Sequence, residues 1–419
     1  MSVQTALERL AQDLSLSSAG INSYHDRSLT PGQTFAAIKP HFKELGITRV
    51  GLLTALDLLE IPVAFATRPN SYTLSVFQGK GIDEEAAMTS AAMEAVETRV
   101  AESQPSDLVI ATVAGMRAEH APMIDLDSVA RCVPSEIGSE PIAWGEGLDI
   151  MSNRPVFVPW PLVGLDHRGT RPSGFEQSSD GLASGNRPAE AVLHGLCELV
   201  ERDAWALTQL RPYEQLRGAR IDPIAFGDPV LDIIVDRIRR AGMRLLLLDM
   251  TTDIGVPSFL AVIIPGNLGE RVDARWTHVC GGCGCHPDPV RAALRAITEA
   301  AQSRLTAIAG SRDDFSPRVY QRLDDGGPMQ ELINLCDEAP VTPKFSLEAP
   351  QRTMQENIGR ILDRLRSRGI DQVVAVPLSH PGLPVSVVRM IVPGLEVDVS
   401  GEFIQLGLRA VSAMQGAMQ

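Results

Sequence analysis

Several familiar signatures are missing from this chain. It has no Gly-x4-Gly-Lys-Ser/Thr phosphate loop, and no Gly-x-Gly-x-x-Gly opens a helix after a strand. Glu201-Arg202-Asp203 falls in a helical context rather than in a His-Arg-Asp loop, so the kinase set is missing as well. Basic residues are too scarce for a polyanion binder: 38 Lys and Arg against 52 Asp and Glu leave a net charge of −14, which argues against nucleic acid and anionic membrane as general partners. No apolar run approaches the roughly 18 residues of a membrane span. Residues 1–16 mix acid, Arg9 and Gln without an apolar core, so no secretory signal is expected. Six cysteines in 419 residues do not make a disulfide scaffold, and a reduced, cytoplasmic setting is the expectation.

What is present is ample apolar content for two to three domain-sized units, with helix-period segments alternating with short β-branched runs. That pattern reads as mixed α/β. One plan recurs. Residues 231–266 read as an amphipathic helix, Gly242, a strand at 245–248, a turn, Gly255-Val-Pro257, a strand at 259–264, then Pro265-Gly266. Residues 356–394 repeat it, with Gly369, a strand at 372–376, Gly382-Leu-Pro384, a strand at 385–392 and Pro393-Gly394. In both copies 13 residues separate the two glycines, and 15 separate the first glycine from the proline. This favours a structural duplication. A looser third copy covers 35–70, where Pro40 interrupts the expected helix over 35–45. The stretches 152–187 and 311–350 read as loop-rich connections, and Asp313 and Asp314 as loop acids away from any site.

Between the repeats lie three expected helices, near 83–102, 188–209 and 288–309, each with a polar row on one face. The rows are Ser90, Glu94, Glu97; Asn186, Glu190, His194, Glu198, Glu201, Arg202; and Arg291, Arg295, Glu299, Gln302. At about 100° per residue, spacings of three and four keep each row within a narrow arc. One reading is three solvated helix faces. Two details oppose it. An exposed acidic face normally carries Lys or Arg at i+4, yet no basic residue occurs between Gly81 and Arg99, and between Gly181 and Arg202 there is only Arg187. In addition, Val192, Leu193, Leu196, Leu199 and Val200 commit the other face of the second helix to a core, which points its acids into a crevice. Carboxylates converging on one cavity repel one another unless cations sit between them, and Mg²⁺ with a polyphosphate resolves that conflict. A nucleotide held here would occupy an unconventional site. Gln78-Gly79-Lys80-Gly81 places a glycine-flanked lysine just before the first acidic helix, suited to an anion; a surface turn with a solvated lysine has the same spacing.

Five segments then carry a resemblance. They are Ser75-Val-Phe-Gln-Gly-Lys80-Gly, Ser90-Ala-Ala-Met-Glu94-Ala-Val-Glu97, Asp180-Gly-Leu-Ala-Ser-Gly-Asn186, the run from Glu190 through Glu198 to Asp203, and Arg295-Ala-Ile-Thr-Glu299-Ala-Ala-Gln302-Ser-Arg304. In this order they resemble the YcaO family over roughly residues 25 to 396. The resemblance implies one YcaO domain over 1–419: an α/β, YcaO-like fold with mixed sheets of repeated helix–strand–turn–strand units around an ATP site. It implies ATP-dependent phosphorylation of a peptide amide oxygen, followed by nucleophilic attack to give an azoline, an amidine or a thioamide. Carried over by position, Glu94, Glu97, Glu198 and Glu201 would hold Mg²⁺. Asn186, Glu190, Arg202, Arg295 and Glu299 would contact the nucleotide or its metals. Lys80 joins the ATP-binding set, with Arg27 and Thr34 near the phosphates. The chain has Asp180 where the family usually has Asn, and Thr98-Arg99 after Glu97 where many members place Arg directly.

Azoline-forming members tend to end in a Pro-x-Pro-x-Pro tail, whereas residues 408–419 hold no proline. Ile47-Thr-Arg-Val50, Ala183-Ser-Gly-Asn186 and Val392-Pro-Gly-Leu-Glu396 are most similar to the branch that works with TfuA proteins and is linked to thioamides. That implies a peptide or protein substrate, a TfuA-like protein and a sulfur source as partners, and a homodimer is expected. The alternatives are an azoline-forming cyclodehydratase of the same family and a non-catalytic nucleotide-binding scaffold. Cys280-Gly-Gly-Cys283-Gly-Cys285-His286 invites a zinc or sulfur reading, but its ligands crowd into seven residues without a second Cys pair, and its glycines match a family turn. His194 is either a general base or a hydrogen-bonded support. Trp144, Trp160, Trp205 and Trp276 read as core.

Overall fold

The computed structural model describes residues 3–16, 24, 27–169, 172–271, 273–315, 317–321, 327–342, 352–397 and 406–417. Helices α1 (Val3–Ser15), α2 (Pro31–Ile38) and α3 (Phe42–Leu45) lead into strands β1 (Arg49–Leu52), β2 (Val63–Thr67) and β3 (Val76–Lys80), then α4 (Glu84–Ala101). β4 (Val109–Ala111), α5 (Val113–Ala118), β5 (Ile142–Asp149), β6 (Arg154–Pro159) and β7 (Leu182–Gly185) follow, ending in α6 (Pro188–Gln209). Next come α7 (Tyr213–Arg217), β8 (Arg220–Ile221), α8 (Pro229–Arg240), β9 (Met243–Asp249), β10 (Ser258–Pro265), β11 (Cys280–Cys285) and α9 (Pro289–Ala309). The rest comprises α10 (Gly327–Asp337), α11 (Met354–Arg366), β12 (Val374–Leu378), β13 (Ser386–Ile391) and α12 (Leu408–Ala417).

These strands form three antiparallel sheets, ordered β1-β2-β3, β11-β10-β9-β8 and β4-β5-β12-β13-β7, with β6 beside β5. Each sheet contains the same three-strand element. A hairpin (β1-β2, β9-β10 or β12-β13) pairs with a third strand (β3, β11 or β7) that runs into an acidic helix. In two sheets the third strand follows its hairpin in the chain. In the remaining sheet β7 and α6 precede β12-β13, so that unit is assembled from distant segments. Gly242, Gly255, Gly369 and Gly382 have φ of +71° to +79°, the left-handed backbone that lets each helix end and each hairpin turn.

The helix expected over 35–45 is split. Pro40 lacks an N–H and its ring blocks the preceding turn, so α2 stops at Ile38, a 3-10 turn covers Lys39–His41, and α3 resumes before Gly46. The stretch 152–187 is less loop-like than its prolines and glycines suggest, since β6 and β7 lie within it. The 311–350 stretch contains α10, while 343–350 lies outside the described residues.

Cys280–Cys285 forms strand β11 rather than a turn, and its glycines have a packing reason. A Cβ at Gly282 would lie 2.2 Å from the Ala300 nitrogen, and one at Gly284 would lie 2.1 Å from the Ala292 carbonyl. The same close seat recurs in the other two units: a Cβ at Gly79 would lie 2.0 Å from the Ala91 nitrogen on α4, and one at Gly185 would lie 2.4 Å from Glu190 Cβ on α6. Each acidic helix therefore rests on its strand backbone to backbone. Val192, Leu193, Leu196, Leu199 and Val200 of α6 are buried, and so is Trp144. Trp276 departs from the core expectation at 45% exposure.

Candidate active site

Local capping sets the three helices. Asp83 accepts the Ala86 N–H to start α4, and Asp288 accepts the Val290 N–H ahead of Pro289 in α9. Pro188 opens α6. With their starts fixed and their backs on glycine, the polar rows face one cavity of about 760 Å³. Arg27, Thr34, Lys80, Glu94, Glu97, Asn186, Glu190, Glu198, Glu201, Arg202, Arg295 and Glu299 all line it.

The lining carboxylates fall into two kinds. Glu190 is saturated by the protein. Its Oε1 accepts from the Ser28 N–H and hydroxyl at 2.7 and 2.6 Å, and its Oε2 accepts from the Asn186 N–H and side-chain amide at 2.8 and 3.0 Å. Arg27 adds a contact at 3.6 Å and donates to the Ser184 carbonyl at 2.7 Å. Thr34 donates to Asn186 Oδ1 at 2.8 Å. Glu190 thus clasps the 27–34 segment onto β7 and α6. Glu299 is paired too, with Lys80 Nζ at 2.6 Å and the Cys283 N–H at 3.1 Å. Burial alone would raise its carboxyl, but Lys80 and Arg202 outweigh burial and hold it down at about 2.

Glu94, Glu97, Glu198 and Glu201 are different. Burial is the largest cause in each case and raises all four, Glu97 to about 7 and Glu198 to about 8. Like charges add to it: Glu94 acts on Glu97, Asp180 and Glu201 on Glu198, and Glu299 on Glu201. Glu97 accepts from the Ser184 hydroxyl at 2.5 Å and Glu201 from the Cys285 N–H at 3.0 Å. Arg202 lies 3.9 Å from Glu198 and 3.3 Å from Asp180. Asp180, the departure from Asn, therefore serves as a partner for Arg202. Arg99 bonds the Ser103 hydroxyl at 2.6 Å and does not line the cavity.

Positive groups complete the cavity. Arg295 Nη1 meets His194 Nδ1 at 3.3 Å, while its buried Nε has no partner among the described residues. Burial, then Arg295, Arg27 and Lys80, hold His194 well below its ordinary value. Its ring nitrogen bonds Arg295, the arrangement of a supporting residue. Arg312 and Phe315 also line the cavity, on a segment that sequence reading set apart from the site. Asp314 pairs with Arg312 there, and Asp313 accepts from the Ser75 N–H and hydroxyl at 3.1 and 2.6 Å. The loop acids themselves do not line the cavity. Sequence periodicity missed Gln78, Ser184 and Arg312 because none lies on a helix face, although Gln78 is inside the Gln-Gly-Lys-Gly motif.

The cysteines of β11 do not converge. Alternation puts Cys280 on the face of Gly282 and Gly284, toward α9, and Cys283 and Cys285 on the other. Burial pushes the Cys280 thiol up to about 11 and Cys283 well above its ordinary value. Among the described residues no three His, Cys, Asp or Glu side chains gather closely enough to hold a metal ion by themselves. Mg²⁺ does not need one: one or two carboxylates, phosphate oxygens and water ordinarily complete its shell. Buried Glu201 and half-buried Glu94, Glu97 and Glu198, beside a guanidinium Nε without a partner among the described residues, fit such an ion with its nucleotide.

Three hairpin-plus-helix units around a buried carboxylate cavity define a class, the ATP- and Mg²⁺-dependent enzymes that modify peptides. A family model described as YcaO cyclodehydratase, ATP- and Mg²⁺-binding, matches residues 78–396, and the chain belongs to the YcaO family. A Rhizobium leguminosarum bv. trifolii protein from the tfuA 3' region is 72% identical over 421 residues, covering 100% of each chain. A Methanothermobacter thermautotrophicus protein is 32% identical over 89% of this chain and 96% of its own. Among solved structures, the YcaO of Methanopyrus kandleri bound with AMPPCP and Mg²⁺ is 25% identical, with a TM-score of 0.69 over 90% of this chain and 95% of that one. A heterocyclase in complex with substrate and cofactor shares the fold at 20% identity and a TM-score of 0.71; the alignment spans 91% of this chain and 54% of that one. No helix among the described residues is long and apolar enough to cross a membrane.

Proposed function

We propose that this chain activates a backbone amide of a peptide or protein substrate for thioamide formation in the cytoplasm, together with a TfuA-type protein and a separate sulfur source. The observation that carries the reading is the contrast inside the cavity: loss of water raises the carboxyls of buried Glu201 and half-buried Glu94, Glu97 and Glu198, while Lys80, Arg202 and Arg295 supply positive charge beside them. A non-catalytic scaffold has no use for so destabilising an arrangement. The location of the Rhizobium relative in a tfuA region supports the partner.

ATP with Mg²⁺, when bound, supplies the phosphoryl group that turns an amide oxygen into a leaving group. The four raised glutamates would hold the metal. Arg295 offers its free Nε–H to a phosphate oxygen, and Lys80 offers its ammonium by giving up part of its contact with Glu299. Arg202, fixed by Asp180, adds charge on the same side. Arg27, Thr34, Asn186 and Glu190, linked to one another across the N-terminal segment, β7 and α6, would contact the nucleotide or its metals at this end.

The test is the mass of the product. The purified protein with ATP, Mg²⁺ and peptide gives little product alone. With a TfuA-type partner and sulfide, each modified amide gains the sulfur-for-oxygen difference. Loss of one water per site without any sulfur source would instead identify an azoline-forming cyclodehydratase.

A further inference from the structure

Strand β3 is held between two helices. Gly79 and Phe77 face α4, so alternation turns Gln78 and Lys80 toward α9. There Lys80 pairs with Glu299, and the Gln78 amide meets the Thr306 hydroxyl. Gln302 lies between these two contacts on α9, three residues after Glu299 and four before Thr306, on the same helix face.

This arrangement leaves two amide atoms unused. Gln78, 1% exposed, has no partner for Nε2, and Gln302 has none for its buried Oε1, among the described residues. Both residues line the cavity. A buried amide donor or acceptor without a partner costs about 1–3 kcal/mol, so two in one wall mark a place where a ligand completes the bonding. One side offers a donor and the other an acceptor, and neither carries charge. A half-turn of either amide exchanges donor for acceptor, so the pair adapts to the polarity of what it meets.

We infer that Gln78 and Gln302 form a subsite for a neutral amide group of the peptide substrate, next to the charged end of the nucleotide site. The inference rests on the proposed function and assigns its substrate contact. The flanking charges decide between the two neutral donor–acceptor groups such a reaction brings in, the peptide amide and the adenine edge. Lys80, Glu94 and Glu299 surround this wall, and Glu94 accepts from the Gln78 backbone. Charged groups of that kind attend phosphates and metal, and the amide to be activated has to lie against the phosphates.

The experiment loads the protein with AMPPCP and Mg²⁺ and titrates in N-acetylglycine methylamide, a blocked neutral amide, while following glutamine side-chain NH₂ signals by ¹⁵N NMR. Two glutamine signals should shift, one missing in Gln78→Met and the other in Gln302→Leu. Gln302→Leu guards against misfolding of the more buried Gln78 variant, and it should weaken the blocked amide roughly fivefold or more while leaving AMPPCP–Mg²⁺ affinity within about twofold. Adenosine should move neither signal. An equal loss of AMPPCP affinity, or shifts with adenosine in place of the amide, would reassign the pair to the base. Signals that stay still with both probes would mean that the two amides bond only to each other. Failure of the wild-type protein to bind AMPPCP with Mg²⁺ would bring down the function reading itself, which the other outcomes leave standing.

Discussion

Glu190 and Glu198 sit two turns apart on the same helix and line the same cavity, yet they are opposite in kind. Glu190 is completed by Ser28, Asn186 and Arg27. Glu198 meets Arg202 at 3.9 Å, and burial lifts it to about 8. A carboxylate whose oxygens are all used by the protein is architecture. One that is half-buried with a guanidinium no nearer than 3.9 Å gains little in the apo fold and is open to a cation. Residue type and helix position do not separate the two; the partners supplied by Asn186 and by Arg27 and Ser28 do.

The hardest blow to this contrast is Glu198→Gln or Glu201→Gln. Either change should cut ATP-dependent turnover roughly 100-fold or more while leaving the apo melting temperature unchanged or higher, because repulsion is relieved. Normal turnover in both variants would show that the raised glutamates are not special. Glu299→Gln should follow, as it frees Lys80 and removes the acceptor of the Cys283 N–H. Glu190→Gln should behave in the reverse way. Its new NH₂ would face the donors of Asn186 or Ser28, lowering stability by about 1–3 kcal/mol in denaturant melts, with a smaller loss of turnover.

A pH series sharpens the same contrast. Glu97 and Glu198, raised to about 7 and about 8, are protonated in the fold where the unfolded chain has already lost the proton. The folded state therefore binds more protons, and its stability falls as pH rises from the ordinary carboxylate value of about 4.5 through 8. Metal needs the ionised form. The rise in melting temperature on adding AMPPCP with Mg²⁺ should accordingly be larger at the alkaline end of that window than at the acid end. Asp313→Asn, on the loop bonded to Ser75, should have the smallest effect, less than about threefold on turnover.

The rows on α4, α6 and α9 could be read from sequence because a period of 3.6 is a local property, and all thirteen residues of the rows line one cavity, as do Lys80 and the two residues that only the family resemblance implied, Arg27 and Thr34. Glycine misled where its cause was tertiary. Gly282 and Gly284 look like turn residues until α9 is seen resting on them. Arg312 was out of reach because the contact that brings its loop to β3, Asp313 to Ser75, joins residues 238 apart. Pro40 gave its warning correctly, and the helix breaks there.

The seat of each acidic helix on a glycine face has a consequence for how such a chain can change over time. Where main chain rests on main chain, no side chain sets the spacing, so the width of the cavity is insulated from substitutions on the helix faces that line it. Drift can exchange the guests the cavity receives, a carboxylate for an amide or an amide for an apolar group, without moving its walls. A single added methyl at Gly79, Gly185, Gly282 or Gly284 would instead shift a whole helix and every group it carries.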